Sequence, residues 1–73
     1  MKIKMVEVYK TNVNRRRQAK RLKAYLTEHF PTLKINFDLE DCDHILRIEG
    51  EYILNEKIAR LVRESGYRCE LLE

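Results

Sequence analysis

The chain has 73 residues, so the sequence predicts one domain that spans residues 1–73. Hydrophobic residues make up 44% and charged residues 37%, a globular composition in which no apolar run approaches the roughly 20 residues of a membrane span. The formal net charge of +3 is compatible with nucleic acid or an acidic protein as a partner, but it is too small to predict either. Because no signal-peptide pattern precedes the first strand, we expect a cytoplasmic protein.

The first predicted elements are a strand and a helix. Residues 3–10 alternate with period two, which predicts a strand, and Val6 and Val8 are its predicted core pair. The Thr and Asn side chains that follow are suited to cap a helix start. In residues 15–30 the apolar side chains recur every three or four positions, which predicts a helix that Pro31 ends.

The second half of the chain predicts two strands, a helix and a short strand. Alternation in residues 33–39 and again in residues 44–49 is typical of two strands joined by a tight connection. Asn55 is the predicted N-cap of the second helix, and Gly66 stands where a C′ glycine follows a helix. Residues 67–72 then predict a last strand.

This order of elements predicts an α+β fold of the ferredoxin-like type, a βαββαβ split βαβ sandwich. We expect a four-stranded antiparallel sheet with the first and third strands in the centre and two helices on one face. In this topology the connections after the first strand, after the second strand and before the last strand lie at one end of the sheet.

Four stretches of the sequence resemble the heavy-metal-associated (HMA) domain of copper chaperones and of the N-terminal modules of copper-transporting P-type ATPases. They are residues 6–8 (VEV), residues 33–40 (LKINFDLE), residues 45–50 (ILRIEG) and residues 56–67, which end in Gly-Tyr. Their order and spacing extend the resemblance over nearly the whole chain. The resemblance implies the ferredoxin-like fold and places the family's metal site in the loop after the first strand.

The metal-binding motif of that family, Met-Thr-Cys-x-x-Cys, is where this sequence departs from the resemblance. The matching stretch is residues 10–15, in which Lys10 replaces the methionine, and Asn12 and Arg15 replace the two cysteines. Monovalent copper prefers thiolate ligands, and a protonated guanidinium repels a cation. The resemblance therefore implies an HMA-like scaffold with no metal site in this loop and no cofactor.

A relocated site for copper or zinc is the first alternative. Cys42, His44 and Cys69 are its candidate ligands, since the predicted topology brings all three to one end of the sheet. No CxxC motif is present, so two free thiols and a hydrogen-bonded histidine are the simpler interpretation.

Arg15, Arg16 and Arg17 lie in the first helical turn, where positive charge opposes the helix dipole. Together with Asn12 they are the candidate interaction residues, which we expect to contact an acidic partner protein. The simpler interpretation is a solvated surface, or ion pairs with the acidic turn at residues 40–43. The basic surface of the helix continues over Lys20, Arg21 and Lys23.

Enzyme chemistry and RNA recognition find little support in the residues. The chain has no glycine-rich phosphate loop, and Tyr9 is the one aromatic candidate for a base-stacking platform on the central strands. We therefore expect a small non-catalytic HMA-like domain, a monomer that binds a protein through the basic loop and the start of the first helix. Weak nucleic-acid binding along that helix is the second alternative.

Overall fold

Four strands and two helices make up the regular structure of residues 4–72, the part of the chain that this computed structural model describes. The predicted first strand includes residue 3, which lies outside the described residues. Within them, neither helix is long and apolar enough to cross a membrane. In chain order the elements are β1 (Met5–Thr11), α1 (Arg16–His29), β2 (Lys34–Asp38), β3 (Ile45–Gly50), α2 (Asn55–Glu64) and β4 (Cys69–Leu71).

The four strands form one antiparallel sheet in the order β2-β3-β1-β4. β1 and β3 are therefore the central strands, as the sequence predicts, and β2 and β4 form the two edges. With its two helices the chain is a small α+β fold that is compatible with a ferredoxin-like arrangement.

One hydrophobic core joins the buried sides of both helices to one face of the sheet. α1 contributes Ala19, Leu22 and Leu26, whose spacing of three and four residues places them on one side of the helix. α2 contributes a similar apolar stripe. Within residues 4–72 the buried apolar residues are Tyr9, Val13, Ala19, Leu22, Leu26, Leu33, Ile35, Leu46, Ile48, Ile53, Ile58, Ala59, Val62 and Cys69.

The orientation of β1 is the reverse of the prediction. Val6 is 45% exposed and shares the outer face of the sheet with Val8, whereas Tyr9 is fully buried among the core residues. Both faces of β1 carry apolar side chains, so alternation alone does not determine which face is buried. The Tyr9 ring buries more apolar area than a valine, and its hydroxyl donates a hydrogen bond to Asn55 Oδ1.

Neither helix begins with the side-chain cap that the sequence predicts. The N-cap residues are Arg15 for α1 and Leu54 for α2, and neither makes a side-chain capping hydrogen bond. Asn55 is instead the first residue of α2, and its side chain satisfies the buried Tyr9 hydroxyl. The Asn55 side chain, which the local sequence pattern assigns to a helix cap, therefore makes a tertiary hydrogen bond instead.

The helix C-termini follow the prediction. α1 ends at His29, and Phe30 is its C-cap, directly before Pro31. After α2, Gly66 adopts a φ of 95°, in the left-handed region that glycine enters without a steric penalty. The Gly66 N–H donates to the Arg63 carbonyl oxygen at 3.0 Å, and the Tyr67 N–H donates to the Val62 carbonyl oxygen at 3.3 Å. These two bonds are the Schellman pattern that ends a helix.

Candidate functional site

Three chain connections lie together at one end of the sheet, which we call the loop end. They are residues 12–15 between β1 and α1, residues 39–44 between β2 and β3, and residues 65–68 between α2 and β4. Hydrogen bonds from the end of β1 and from the first connection reach both of the others. The predicted convergence of these connections is confirmed.

Thr11 joins the end of β1 to the connection between β2 and β3. Its backbone N–H donates to the Asp43 carbonyl oxygen at 3.2 Å, and its Oγ1 hydroxyl donates to the His44 carbonyl oxygen at 2.6 Å. The same Oγ1 accepts the Val13 N–H at 3.2 Å. Thr11 and Val13 are both buried, so these bonds hold the start of the β1–α1 connection where an unpaired polar group would be strongly destabilising.

Asn12, one of the predicted interaction residues, is exposed at the loop end, but its side-chain oxygen is already engaged. Asn12 Oδ1 accepts the Arg68 N–H at 2.7 Å, which joins the β1–α1 connection to the α2–β4 connection. Asn12 therefore positions the loop, and its Nδ2 group remains available to contact a partner. Sequence reasoning missed Arg68, because 56 positions separate it from Asn12 and no local pattern links the two.

The three predicted arginines lie at the start of α1, with Arg15 as the N-cap and Arg16 and Arg17 in the first turn. All three are exposed, and no acidic residue shares that turn. The exposed cations continue along the helix, and we call the whole set the basic face. None of its members makes an ion pair or a side-chain hydrogen bond within residues 4–72. The basic face consists of Arg15, Arg16, Arg17, Lys20, Arg21 and Lys23.

The basic face concentrates the positive charge of the whole chain. It holds six of the fifteen Lys and Arg residues, and no acidic residue lies between Arg15 and Glu28. The nine remaining cations stand against twelve acidic residues, which gives the rest of the chain a formal charge of −3. The modest net charge of +3 therefore conceals a strong separation of charge.

The acidic connection between β2 and β3 lies beside the start of α1 without neutralising it. Arg16 and Glu40 line the same shallow groove of about 310 Å³, together with Asp38, yet no ion pair forms among them. Asp38 Oδ1 accepts the Glu40 N–H instead, at 3.2 Å. Within the described residues, the one ion pair of this connection joins Asp43 to Lys10 at 3.6 Å. The loop end thus presents two charged patches of opposite sign.

The three candidate ligands of a relocated metal site differ in their surroundings. Cys42 is exposed, whereas Cys69 is 4% exposed, and burial raises the pKa of the Cys69 thiol to about 11 although the Arg63 guanidinium opposes the rise. His44 precedes β3 with a left-handed φ of 48°, and its buried Nδ1 atom has no hydrogen-bond partner among residues 4–72. These three side chains do not form a three-ligand cluster within residues 4–72.

A different group of potential ligands occurs in the same connection. One ligand atom from each of Asp41, Cys42 and Asp43 lies within 4.8 Å of the others. Asp41 Oδ1 also accepts the Asp43 N–H at 2.9 Å. Sequence reasoning considered these acidic residues as ion-pair partners of the arginines, and so it missed their convergence with Cys42.

The outer face of the two central strands carries aliphatic and charged side chains. β1 presents Val6 and Val8 there, and β3 presents Ile45, Arg47 and Glu49. Tyr9, the predicted stacking candidate, points to the opposite face and is buried, so it is not accessible to a nucleic-acid base.

Comparisons with protein-family models, with curated proteins and with solved structures find no match to this chain.

Proposed function

We propose that this chain is a non-catalytic, HMA-like domain of the ferredoxin-like type that docks an acidic surface of another protein onto its basic face. One observation carries the proposal. Six exposed cations lie on α1 and at its N-cap, and none of them has an ion-pair partner within the described residues. A charge that has no partner in the free domain does not have to break a contact before it binds.

The chemistry of the basic face suits carboxylate recognition. Four of its six members are arginines, whose planar guanidinium groups form paired hydrogen bonds to a carboxylate. The field of a concentrated positive patch also attracts an acidic partner before contact, which raises the association rate at low ionic strength. The adjacent acidic connection repels a partner that docks in the wrong orientation, which favours one orientation.

The loop between β1 and α1 is unsuited to the metal transfer that the resemblance suggests for its family. Asn12 contributes an amide oxygen that already accepts the Arg68 N–H, and Arg15 contributes a protonated guanidinium. Neither group is a ligand for monovalent copper. What remains of the resemblance is the scaffold, and we propose that the loop has become part of a protein-binding surface.

Two buried side chains are unsuited to act as catalytic nucleophiles. Burial raises the pKa of the Tyr9 hydroxyl and of the Cys69 thiol, so both groups are protonated at neutral pH. The Tyr9 hydroxyl is bonded to Asn55, and neither group is accessible to a substrate. Neither therefore has the exposure or the charge state of a catalytic nucleophile.

Photo-crosslinking in the native cell tests the proposal. A photoreactive amino acid replaces Lys20, in the middle of the basic face, and the captured macromolecule is identified and then purified. We expect a protein whose association rate falls about tenfold in the triple variant Arg15→Gln, Arg16→Gln, Arg17→Gln. The matched control is Arg47→Gln, Lys57→Gln, Arg60→Gln, which removes the same charge from exposed positions outside the basic face and should change the rate far less.

Two results would overturn the proposal. Crosslinked material that nuclease digests would identify nucleic acid as the ligand, and steeply salt-dependent oligonucleotide binding by the purified domain would support that alternative. Equal association rates for the two triple variants would show that net charge, and not the basic face, controls binding.

A second candidate function follows from the grouping of Asp41, Cys42 and Asp43. A thiolate and two carboxylates are acceptable zinc ligands, and here their atoms already converge. Zinc titration under reducing conditions, monitored by native mass spectrometry, tests this candidate. Stoichiometric binding that is lost in Cys42→Ser and kept in Cys69→Ser would support it, whereas equal binding by both variants would exclude it.

A further inference from the structure

β2 is one of the two edge strands of the sheet. The sheet order places β2 beside β3 alone, and no other strand within residues 4–72 pairs with it. The free edge of a strand presents unpaired backbone N–H and C=O groups, which form a template for another strand. What such an edge accepts depends on the residues that it places opposite the incoming chain.

The sequence of β2 is symmetric in character about its central residue. Asn36 is the midpoint of Lys34–Asp38, and the residues on either side of it are the apolar Ile35 and Phe37. Beyond them stand a cation at one end, Lys34, and an anion at the other, Asp38. If a second β2 strand runs antiparallel beside the first, a cation therefore lies opposite an anion at both ends, and apolar residues lie opposite apolar residues between them.

We propose that a second copy of this chain binds the free edge of β2, with the two β2 strands antiparallel and centred on Asn36. Each Lys34 then lies opposite Asp38 of the other copy, and each Ile35 lies opposite Phe37. The two sheets become one continuous sheet of eight strands related by a two-fold axis. This arrangement departs from the monomer that the sequence alone favours.

The two charged side chains at the ends of β2 are available for these contacts. The Lys34 side chain is 70% exposed, and its one ion pair within the described residues, to Glu49, spans 3.9 Å. Asp38 is exposed and has no cationic partner within the described residues. Phe37 is only half-buried against the core, so the approach of a second copy would cover part of a ring that is now accessible to water. Ile35 is 3% exposed and contributes little to the contact beyond its backbone.

The pattern also selects the register. A shift by one residue would place the charged face of one β2 strand beside the apolar face of the other. A shift by two residues would leave Lys34 or Asp38 without an opposite charge. The register centred on Asn36 is the one that pairs both charges twice, once on each side of the two-fold axis.

We expect a reversible dimer, because β2 has only five residues. Pairing two short strands buries less than the roughly 1,200 Å² at the lower end of stable interfaces. The fraction of dimer should therefore rise with protein concentration, and the charge pairs should have a measurable influence on the dissociation constant.

Charge substitutions at the two ends of β2 test the proposal by sedimentation equilibrium. Asp38→Lys places cation opposite cation at two symmetric positions, and Lys34→Glu places anion opposite anion. Each variant alone should dissociate about tenfold or more readily than the wild type, because two attractive pairs become repulsive. Glu56→Lys and Lys57→Glu are the matched controls, since they make the same charge changes at exposed positions on α2 and should leave the dimer intact.

Mixing the two β2 variants is the decisive step. An edge with two cations meets an edge with two anions, so the mixture should form a heterodimer although neither variant dimerises well alone. The mixture also guards against misfolding, because a variant that has lost its fold offers no edge to pair, and far-UV circular dichroism reports the fold directly. A wild type that sediments as a monomer at every concentration would overturn the proposal. A mixture of folded variants that fails to associate would do the same, as would controls that dissociate as readily as the β2 variants.

Discussion

Thr11 is the one buried polar residue within residues 4–72, and its side chain makes two hydrogen bonds at the loop end. Replacing it with valine keeps the shape and removes both bonds, which leaves the His44 carbonyl oxygen and the Val13 N–H without that partner. We expect Thr11→Val to lower the free energy of unfolding by about 2–3 kcal/mol. Urea unfolding monitored by circular dichroism measures the change.

Thr27→Val is the control for this prediction. Thr27 is exposed on α1, so the same substitution there should alter the free energy of unfolding by less than about 0.5 kcal/mol. Equal effects at the two positions would mean that the bonds of Thr11 do not stabilise the loop end.

Cys69 gives the fold a predictable response to alkaline pH. Burial raises the pKa of its thiol from near 9 to about 11, so the unfolded chain releases this proton at a lower pH than the folded chain. The contribution of the Cys69 thiol to the free energy of unfolding is therefore complete below about pH 9. It is lost as the pH rises to about 11, where the free energy of unfolding has fallen by about 2 kcal/mol. Urea unfolding at a series of pH values across this window should show the fall. Cys69→Ala should flatten it and Cys42→Ala should not, so equal slopes in these two variants would contradict the assignment.

At the scale of elements, the order and type of all six followed from residue patterns. Alternation identified the strands, the three-and-four spacing identified both helices, and Gly66 marked the end of α2. The errors have one physical cause. Asn12 and Asn55 resemble helix caps locally, but each bonds to a residue more than 40 positions away, at 56 and 46 positions respectively. Local sequence patterns do not contain such distant partners. The buried face of β1 was predicted wrongly for a related reason, because the buried Tyr9 hydroxyl depends on its hydrogen bond to Asn55.

The site was predictable to the same extent. The exposure of Arg15, Arg16 and Arg17 at the start of α1 follows from the apolar stripe, which assigns the opposite side of the helix to solvent. Whether these arginines would pair with the acidic connection was not predictable. That outcome depends on side-chain positions in two elements that are distant in sequence.

The start of α1 also offers a direct test of the HMA resemblance. Asn12→Cys with Arg15→Cys creates a Cys-x-x-Cys turn that opens the helix, where the helix dipole favours thiolate. We expect clear binding of monovalent copper under reducing conditions, measured by competition with a chromogenic copper chelator. The remaining cations nearby should keep the affinity below that of a copper chaperone.

The single variants Asn12→Cys and Arg15→Cys are the controls, and each should bind copper far more weakly than the pair. Loss of the bond between Asn12 and the Arg68 N–H should cost about 1 kcal/mol, so the double variant should remain folded. A folded, fully reduced double variant that binds copper no better than the wild type would limit the resemblance to overall shape.

For the molecule as a whole, we expect folding to require neither metal nor disulfide. Both cysteines are free, and both helices and one face of the sheet contribute to one apolar core. Thermal melts with and without chelator and reductant should therefore coincide. A loss of roughly 10 °C or more on adding either reagent would contradict this, because structural metals and disulfides contribute several kcal/mol.

The separation of charge between the basic face and the rest of the chain gives the molecule a large electric dipole moment. On a cation-exchange resin the protein turns α1 toward the fixed sulfonates, so its retention follows the six cations of that face and not the net charge of +3. It should elute at a higher salt concentration than a protein of equal size and net charge whose charges are evenly spread. The same orientation would apply on any negatively charged support. In an immobilised sample, α1 would therefore face the support, and the outer face of the sheet would face the solution.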